Sequence, residues 1–528
     1  MGSITALGQL NVTALSVPGV YTQIVPPPNV LAGSPSNIVG IVGTAVWGPV
    51  NQAVIVGNAA GYTQSFGPLQ NRTFDMGTAV TIACQQGSQN FRCVRVTDGT
   101  DVAASAVVAG TSSTGFELVA RYTGTLGNGL TWFLSTGTAA GSYRLTLVLS
   151  GVGIVEVFDN VTGTGAALWT NLASAVNNGN SALRGPSQIA VASVAGSYNA
   201  APAVSTTAAS FSGGTDGVTT ITSATLIGSD STTPRKGMYA LRSQGCSVAM
   251  LADATDPTQW TLQSQFGVGE GVYMILSTAL GSAITNGTTG SVDLKASAGL
   301  DTYSCKLMHG DGLFWQDTTN NVVRIVSPQG FVAGLLGNLS PEQSTLNKPI
   351  FGIQGSQRSG LPGSGLNGTY ANAELQALFT AGIDVIALPA AGGSYWACGR
   401  GCNASSNQAI NGDNYTRLTN YIATTINALG VFVGQIINAQ FFGNLKAALL
   451  GFLANMTQAG QLSQPSGATP YSVVCDTSIN PPSRTSLGYV QANIVAIYGS
   501  IAVFLLLDLQ GGQTAVVTVT DSTGQPIT

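Results

Sequence analysis

The residues of this chain able to carry out chemistry are few, and their spacing gives them little company. Seven cysteines occur, at 84, 93, 246, 305, 398, 402 and 475, and an odd number cannot close into intrachain bridges alone. Cys398-Gly399-Arg400-Gly401-Cys402 is C-x3-C, where zinc knuckles and dithiol redox sites use C-x2-C. With one histidine and no second close cysteine pair, no metal site is expected. Most of the thiols read as small buried hydrophobes. Cys398 and Cys402 carry a sharper expectation. Their Gly-rich loop reads as exposed, and the pair would cross-link neighbouring subunits outside a reducing compartment.

His309, in Met308-His309-Gly310-Asp311-Gly312, is the one histidine for a Ser-His or Cys-His mechanism. A lone loop histidine is more often structural or solvated than catalytic. Asp311 and Asp317 nearby lack the dense carboxylate loop of a hard-cation site. Gly363-Ser364-Gly365-Leu366-Asn367-Gly368 matches GxGxxG, but no strand leads into it, so the phosphate-cradling context is missing. Neither a Walker A motif nor a G-x-S-x-G elbow occurs. Triplets such as Asn11-Val12-Thr13 and Asn160-Val161-Thr162 mean glycosylation only in a secretory pathway. The start, Met1-Gly2-Ser3-Ile4-Thr5-Ala6, has no basic and apolar leader. The expectation is no catalytic residue, no metal and no cofactor.

Composition narrows the classes. The chain has 528 residues, enough for three or four domains at roughly 150 residues each. Charged residues make up 8%, against about 25% in ordinary soluble proteins. The net charge of −4 leaves no electrostatic footprint for nucleic acid. At 44% hydrophobic, the chain has ample material for a core, and disorder is not expected. So thin a charged surface suits a protein covered by copies of itself. It also suits a Ser/Thr/Asn-rich extracellular surface, and composition does not choose. The apolar run Ile494–Leu507, broken at Gly499-Ser500, falls short of the ~20 residues of a membrane helix. It reads as two short strands.

These residues must be positioned by a mixed set of elements. Apolar strands are expected at 37–45, 53–56, 91–96, 248–251, 272–276, 383–388 and 473–475, with a short helix at 78–84. Residues 97–216, rich in Thr, Ser, Gly and Ala, alternate between strands at 116–122, 143–149, 154–158 and 189–194. One helical face there comprises Leu168, Leu172, Ala175 and Val176. Helical spacing recurs at 373–381, 415–429 and 441–459. Both ends read as lone strands: Leu10, Val12 and Ala14 alternate in the first, Val517 and Val519 in the last. A lone strand is unstable in water, so each needs a sheet edge from its own domain or another chain. The expected class is α+β, a mixed α/β multidomain chain. An N-terminal arm (1–19) precedes a discontinuous core (20–96 and 217–510), interrupted by a mostly-β domain (97–216) and followed by a C-terminal arm (511–528).

The order of short motifs resembles that of contractile tail sheath proteins. Pro18-Gly19-Val20-Tyr21, then Ile38 to Ala45 ending in Gly43-Thr44-Ala45, then Trp47-Gly48-Pro49-Val50-Asn51 is similar to the family's opening. Tyr122-Thr123-Gly124-Thr125-Leu126-Gly127-Asn128-Gly129 resembles the Gly-Asn segment of the family's inserted domain, and Gly213-Gly214-Thr215-Asp216-Gly217 its exit. Val326-Ser327-Pro328-Gln329-Gly330-Phe331-Val332-Ala333-Gly334 resembles the PPSG-x-x-AG segment, followed by Lys348-Pro349. Trp396 with Arg400, Thr416-Arg417-Leu418, Val474-Cys475-Asp476, Asn480-Pro481-Pro482 and the strand Ala502–Leu509 complete the order. The low charge is the main departure.

The resemblance implies a structural subunit, not an enzyme. It would polymerise as stacked six-fold rings around an inner tail tube, with baseplate and terminator proteins at the ends. Contraction from a metastable extended state would drive the tube through the host envelope for genome delivery. The particle would be a virion assembled in the bacterial cytoplasm, with no nucleic-acid contact and no membrane insertion. A headless contractile particle, or another self-assembling filament or adhesin, is the alternative. The resemblance also implies arms that add strands to neighbours' sheets. Here these are Leu10, Val12, Ala14, Val517 and Val519, received by a hairpin over 490–509 that contains Ile494, Val495, Ile497, Val503, Leu505 and Leu507. Helices 415–429 and 441–459 are the candidates for the face toward the tube, and the sequence does not choose between them.

Overall fold

The computed structural model describes residues 4–7, 21–24, 31–108, 115–181, 184–366, 368–388 and 393–506. Its centre is a six-stranded sheet in the order Cys305–Met308, Tyr273–Ser277, Val248–Leu251, Val39–Gly43, Phe91–Arg95, Ala53–Val56. All neighbours run parallel except the last pair. Parallel strands covered on both faces read as continuous apolar runs, and Val-Gly-Ile-Val-Gly at 39–43 is buried throughout. Alternate residues enter opposite cores: Val39 and Ile41 meet helices Met76–Gln85 and Gln329–Asn338, while Val42 meets the layer containing Trp260, Phe266 and Leu378. Helix Gln329–Asn338 has little amphipathic pattern because it is buried nearly all round. Its Gly334 allows a backbone approach to helix Met76–Gln85 so close that a Cβ would lie 2.4 Å from the Ala83 Cα.

Between Phe91–Arg95 and Val248–Leu251 the chain builds a second body. Strands Ile154–Val161, Tyr143–Leu149, Leu130–Thr136 and Ala209–Ser210 form one sheet, and Ala190–Val194, Phe116–Ala120 and Ser105–Val108 another. Helix Ala166–Asn178 packs its Leu168, Leu172 and Val176 into their shared core. A three-stranded sheet, Val322–Val326, Leu313–Asp317, Ile353–Ser356, borders the central core.

The last body carries helices Asp413–Ile426 and Ala439–Gln458 and a two-stranded antiparallel sheet, Tyr471–Val474 with Asn493–Ala496. Its core of Leu418, Phe441, Leu445, Leu449, Phe452 and Val473 is separate and also takes Leu31. At the N-terminus, Ile4–Leu7 pairs in parallel with Tyr21–Ile24. The chain is therefore a mixed α+β fold with several cores.

Candidate assembly site

Two buried polar knots hold these bodies together. Lys306 points from the edge strand Cys305–Met308 into the interior and is fully buried, as are Asp384 and Asp413. Its Nζ donates to Asp384 Oδ2 at 2.6 Å, Asp413 Oδ1 at 3.0 Å and the Cys402 carbonyl at 3.0 Å. Asp384 also accepts the backbone N–H of Val385, Arg400 and Gly401 at 2.8–2.9 Å. Asp413 opens helix Asp413–Ile426, where the helix dipole favours an anion. It accepts the Tyr273 hydroxyl at 2.7 Å and the Thr345 N–H at 3.1 Å.

Burial works against the Lys306 ammonium, but Asp384 and Asp413 outweigh it and hold its pKa well above the ordinary value. Burial likewise opposes charge on Asp413; attraction to Lys306 and the Thr345 and Tyr273 hydroxyls win and keep its carboxyl below the usual range. This knot joins the sheet edge, the 345 loop, the 397–402 loop and the C-terminal helices. Beside it Arg417, lowered to about 10 by burial, donates to the Ser340 carbonyl at 2.8 Å and the Ser36 carbonyl at 3.0 Å. Ser34 N–H adds a bond to Thr425 Oγ1, so the segment from Leu31 onward is strapped to the same helix.

The second knot lies where the chain passes into and out of the 105–210 body. Asp216 accepts Arg72 Nη1 at 2.6 Å on one oxygen, and the Thr125 N–H and hydroxyl at 2.7 and 2.8 Å on the other. Asn128 pairs doubly with the Gly214 backbone, at 2.8 and 2.9 Å. Fully buried Arg95 donates to the carbonyls of Gly48 and Thr123 at 2.9 and 2.6 Å. The Gly-Asn and G-G-x-D-G segments singled out in the sequence thus meet at one junction. Trp47 reaches across it, edge-on to Tyr122 at 5.3 Å.

The lone histidine is a core group. His309 Nδ1 lies 2.7 Å from Ser291 Oγ, and burial drives its pKa down to about 4 against the pull of Asp311. Asp311 accepts the Tyr370 hydroxyl at 2.9 Å, and Asp317 accepts Arg324 Nε at 2.9 Å. Among the described residues no three of His, Cys, Asp and Glu converge as a metal-binding group, and no helix is long and apolar enough to cross a membrane.

Two expectations need correction. Cys398 and Cys402 are buried, unpaired thiols whose pKa values are raised by burial and then by Asp384. The glycines between them signal close packing, not exposure: a Cβ on Gly401 would sit 2.1 Å from Ser344 Oγ. The expected hairpin over 490–509 is also absent among the described residues. Asn493–Ala496 pairs instead with Tyr471–Val474, and chain 499–506 has no regular structure. The reason is coverage: Tyr471, Val473, Ile494 and Ala496 form an inner face that packs into the core under helix Ala439–Gln458. Val495 and Ile497 remain 56% and 41% exposed, Val503 39% and Leu505 84%. Leu10, Val12, Ala14, Leu507, Val517 and Val519 lie outside the described residues.

A two-stranded sheet is marginal alone; this one is held by the helix beneath it and by single bridges such as Leu462 to Tyr498. Each of its strands keeps one edge with no further strand among the described residues. Near it large apolar side chains face solvent, Val433 85%, Ile436 83% and Tyr489 64%, while Phe504, beside Arg400, is 88% exposed. Patches of this kind mark interaction surfaces.

No family model and no curated protein matches this sequence. Solved structures do. The sheath tail protein from Desulfitobacterium hafniense is similar at 14% identity and a TM-score of 0.56, over 86% of this chain and 93% of that one. That from Listeria innocua gives 14% and 0.58, over 85% and 90%. The sheath complex of an extracellular contractile injection system in its contracted state gives 11% and 0.51, over 95% and 99%. The fold of this chain is the tail-sheath fold, the class anticipated from the order of its motifs.

Proposed function

We propose that this chain is the structural subunit of a contractile sheath and has no catalytic role. The observation that carries the reading is the sheath fold over nearly the whole chain, joined to a small open-edged sheet ringed by exposed apolar residues. Arms from neighbouring copies would extend the sheet Tyr471–Val474/Asn493–Ala496 on both edges, with backbone hydrogen bonds as the linkage. Contacts that do not close on themselves build a helical stack, here of six-fold rings around an inner tube, with baseplate and terminator proteins at its ends. The stack is held in an extended state and relaxes to a shorter, wider one that buries more surface. Subunits move as rigid bodies because the buried knots lock their parts. The energy comes from assembly, so no nucleotide is consumed.

In a phage tail the stroke serves genome delivery. A headless contractile injection particle is a second reading, supported by the likeness in fold to the sheath of an extracellular contractile injection system. Negative-stain microscopy of the purified protein tests the proposal: hollow striated cylinders are expected, and a chain that stays monomeric at high concentration overturns it.

A further inference from the structure

Arg417 is a buried cation without a counter-ion. It is 4% exposed, and among the described residues no carboxylate oxygen lies within 4.0 Å of its guanidinium. The bonds it makes go to two backbone carbonyls, Ser340 and Ser36. Asp413, one turn earlier on the same helix, is taken by Lys306. Burying an ion with no partner is expensive. The same side chain lines a cavity of about 260 Å³ between the strap 34–36, the turn 243–247 and helix Asp413–Ile426. Asn420, 7% exposed, lines it too, and its Nδ2 finds no acceptor among the described residues. Buried donors left unpaired are rare and ask for an explanation. The strap is pressed close: a Cβ on Gly33 would collide with the hydroxyl of Tyr421, another wall residue. Glu270 is the one carboxylate on the wall among the described residues, and it is matched by Arg242 Nη1 at 2.8 Å and the Ser243 N–H at 3.1 Å. One positive charge and one amide donor are left over, in a space with room for an oxoanion and several waters.

We propose that this cavity binds a small tetrahedral oxoanion of the phosphate class, with Arg417 as its counter-ion and Asn420 Nδ2 as a neutral donor. Bonds from a guanidinium to such an anion are charge-assisted and among the strong ones. Ser34 and Ser36 on the strap and Ser243 on the turn bring hydroxyls to the other walls, so polar groups surround the anion from three segments. Its binding ties the strap and the turn to helix Asp413–Ile426. The inference goes beyond the sheath reading and stands or falls independently of it.

Isothermal titration of the full-length chain with inorganic phosphate, at constant ionic strength in chloride, tests it. A single saturable site per chain is expected, with sulfate competing and acetate binding more weakly, because a planar carboxylate reaches fewer of the walls. Amide exchange at 34–36 and 243–247 should slow when phosphate is added. Asn420→Ala breaks no bond made by Nδ2 and should stay folded, yet weaken phosphate about tenfold, the worth of one hydrogen bond to a charged group. Arg417→Lys keeps the charge but loses the planar fork and should weaken it further; if that variant does not fold, Asn420→Ala carries the test. No saturable binding, the same response to chloride alone, a preference for acetate, or unchanged affinity in Asn420→Ala overturns the proposal.

Discussion

The central sheet and the C-terminal unit spend the same apolar residue types in opposite ways. In the sheet both faces are covered: Phe91 and Tyr273 on its strands, and Trp260 and Trp315 in the two cores that flank it, are at most 1% exposed. Its one fully buried ammonium has two carboxylates. The C-terminal unit buries one face of two helices and leaves Val433, Ile436 and Tyr489 in solvent near a sheet of two strands, and Phe504 in solvent beside Arg400. The first completes its fold within the chain. The second leaves strand edges and large apolar side chains uncovered among the described residues.

Substitutions should separate the two. Lys306→Met leaves Asp384 and Asp413 buried without their cation and should cost about 3–5 kcal/mol in denaturant unfolding, lowering folding and assembly together. An unfolding midpoint equal to wild type would break the assignment of this knot as the main fastening.

Acid response is next in size. His309 has a folded pKa of about 4, so below its unfolded value near 6.5 the unfolded chain binds the extra proton, and stability falls by up to ~3 kcal/mol as pH drops from 6.5 to 4. Asp75, raised to about 6 by burial despite its bonds from Thr78, works the other way: the folded chain takes up the proton first, so acidification from 6 toward 4 stabilises. The two offset in wild type. His309→Gln should therefore gain stability on acidification and Asp75→Asn should lose it, as read from unfolding midpoints across pH 4–7.

Asp216→Ala removes three bonds at the junction of the 105–210 body, at a cost of about 2 kcal/mol, and should speed amide exchange at 98–102 and 213–217 before the central strands. The smallest effect on folding is the most informative. Val495→Asp, on the exposed face of the small sheet, should change stability by under about 0.5 kcal/mol and still suppress cylinders. Salt should matter little to assembly, because screening acts on exposed charges and this surface has few.

Helices and strands were legible wherever period and burial agree. Leu445, Leu449, Phe452, Leu453 and Met456 mark helix Ala439–Gln458 because one stripe faces a core. Helix Gln329–Asn338 escaped as a helix because it is buried nearly all round and carries no stripe. The Lys306 knot was not legible: its partners come from five separated segments, at Tyr273, Thr345, Asp384–Val385, Arg400–Cys402 and Asp413, none of them unusual in the sequence. The signal was a lone lysine inside the apolar strand Cys305-Lys306-Leu307-Met308. Cys398 and Cys402 misled because glycine serves close packing as readily as exposed turns. The receiving strands were half legible. Ile494 and Val495 lie in the sheet, but their partner is Tyr471–Val474, since a run of apolar residues does not state which neighbour it will pair with.

Under the proposed function, copies complete one another through their ends while the globular part of each chain folds alone. Deleting 1–19 and 511–528 together, then comparing unfolding with assembly, tests it most directly. An unfolding midpoint within error of the full chain and no cylinders at any concentration are expected. Ordered cylinders from the trimmed chain would contradict it.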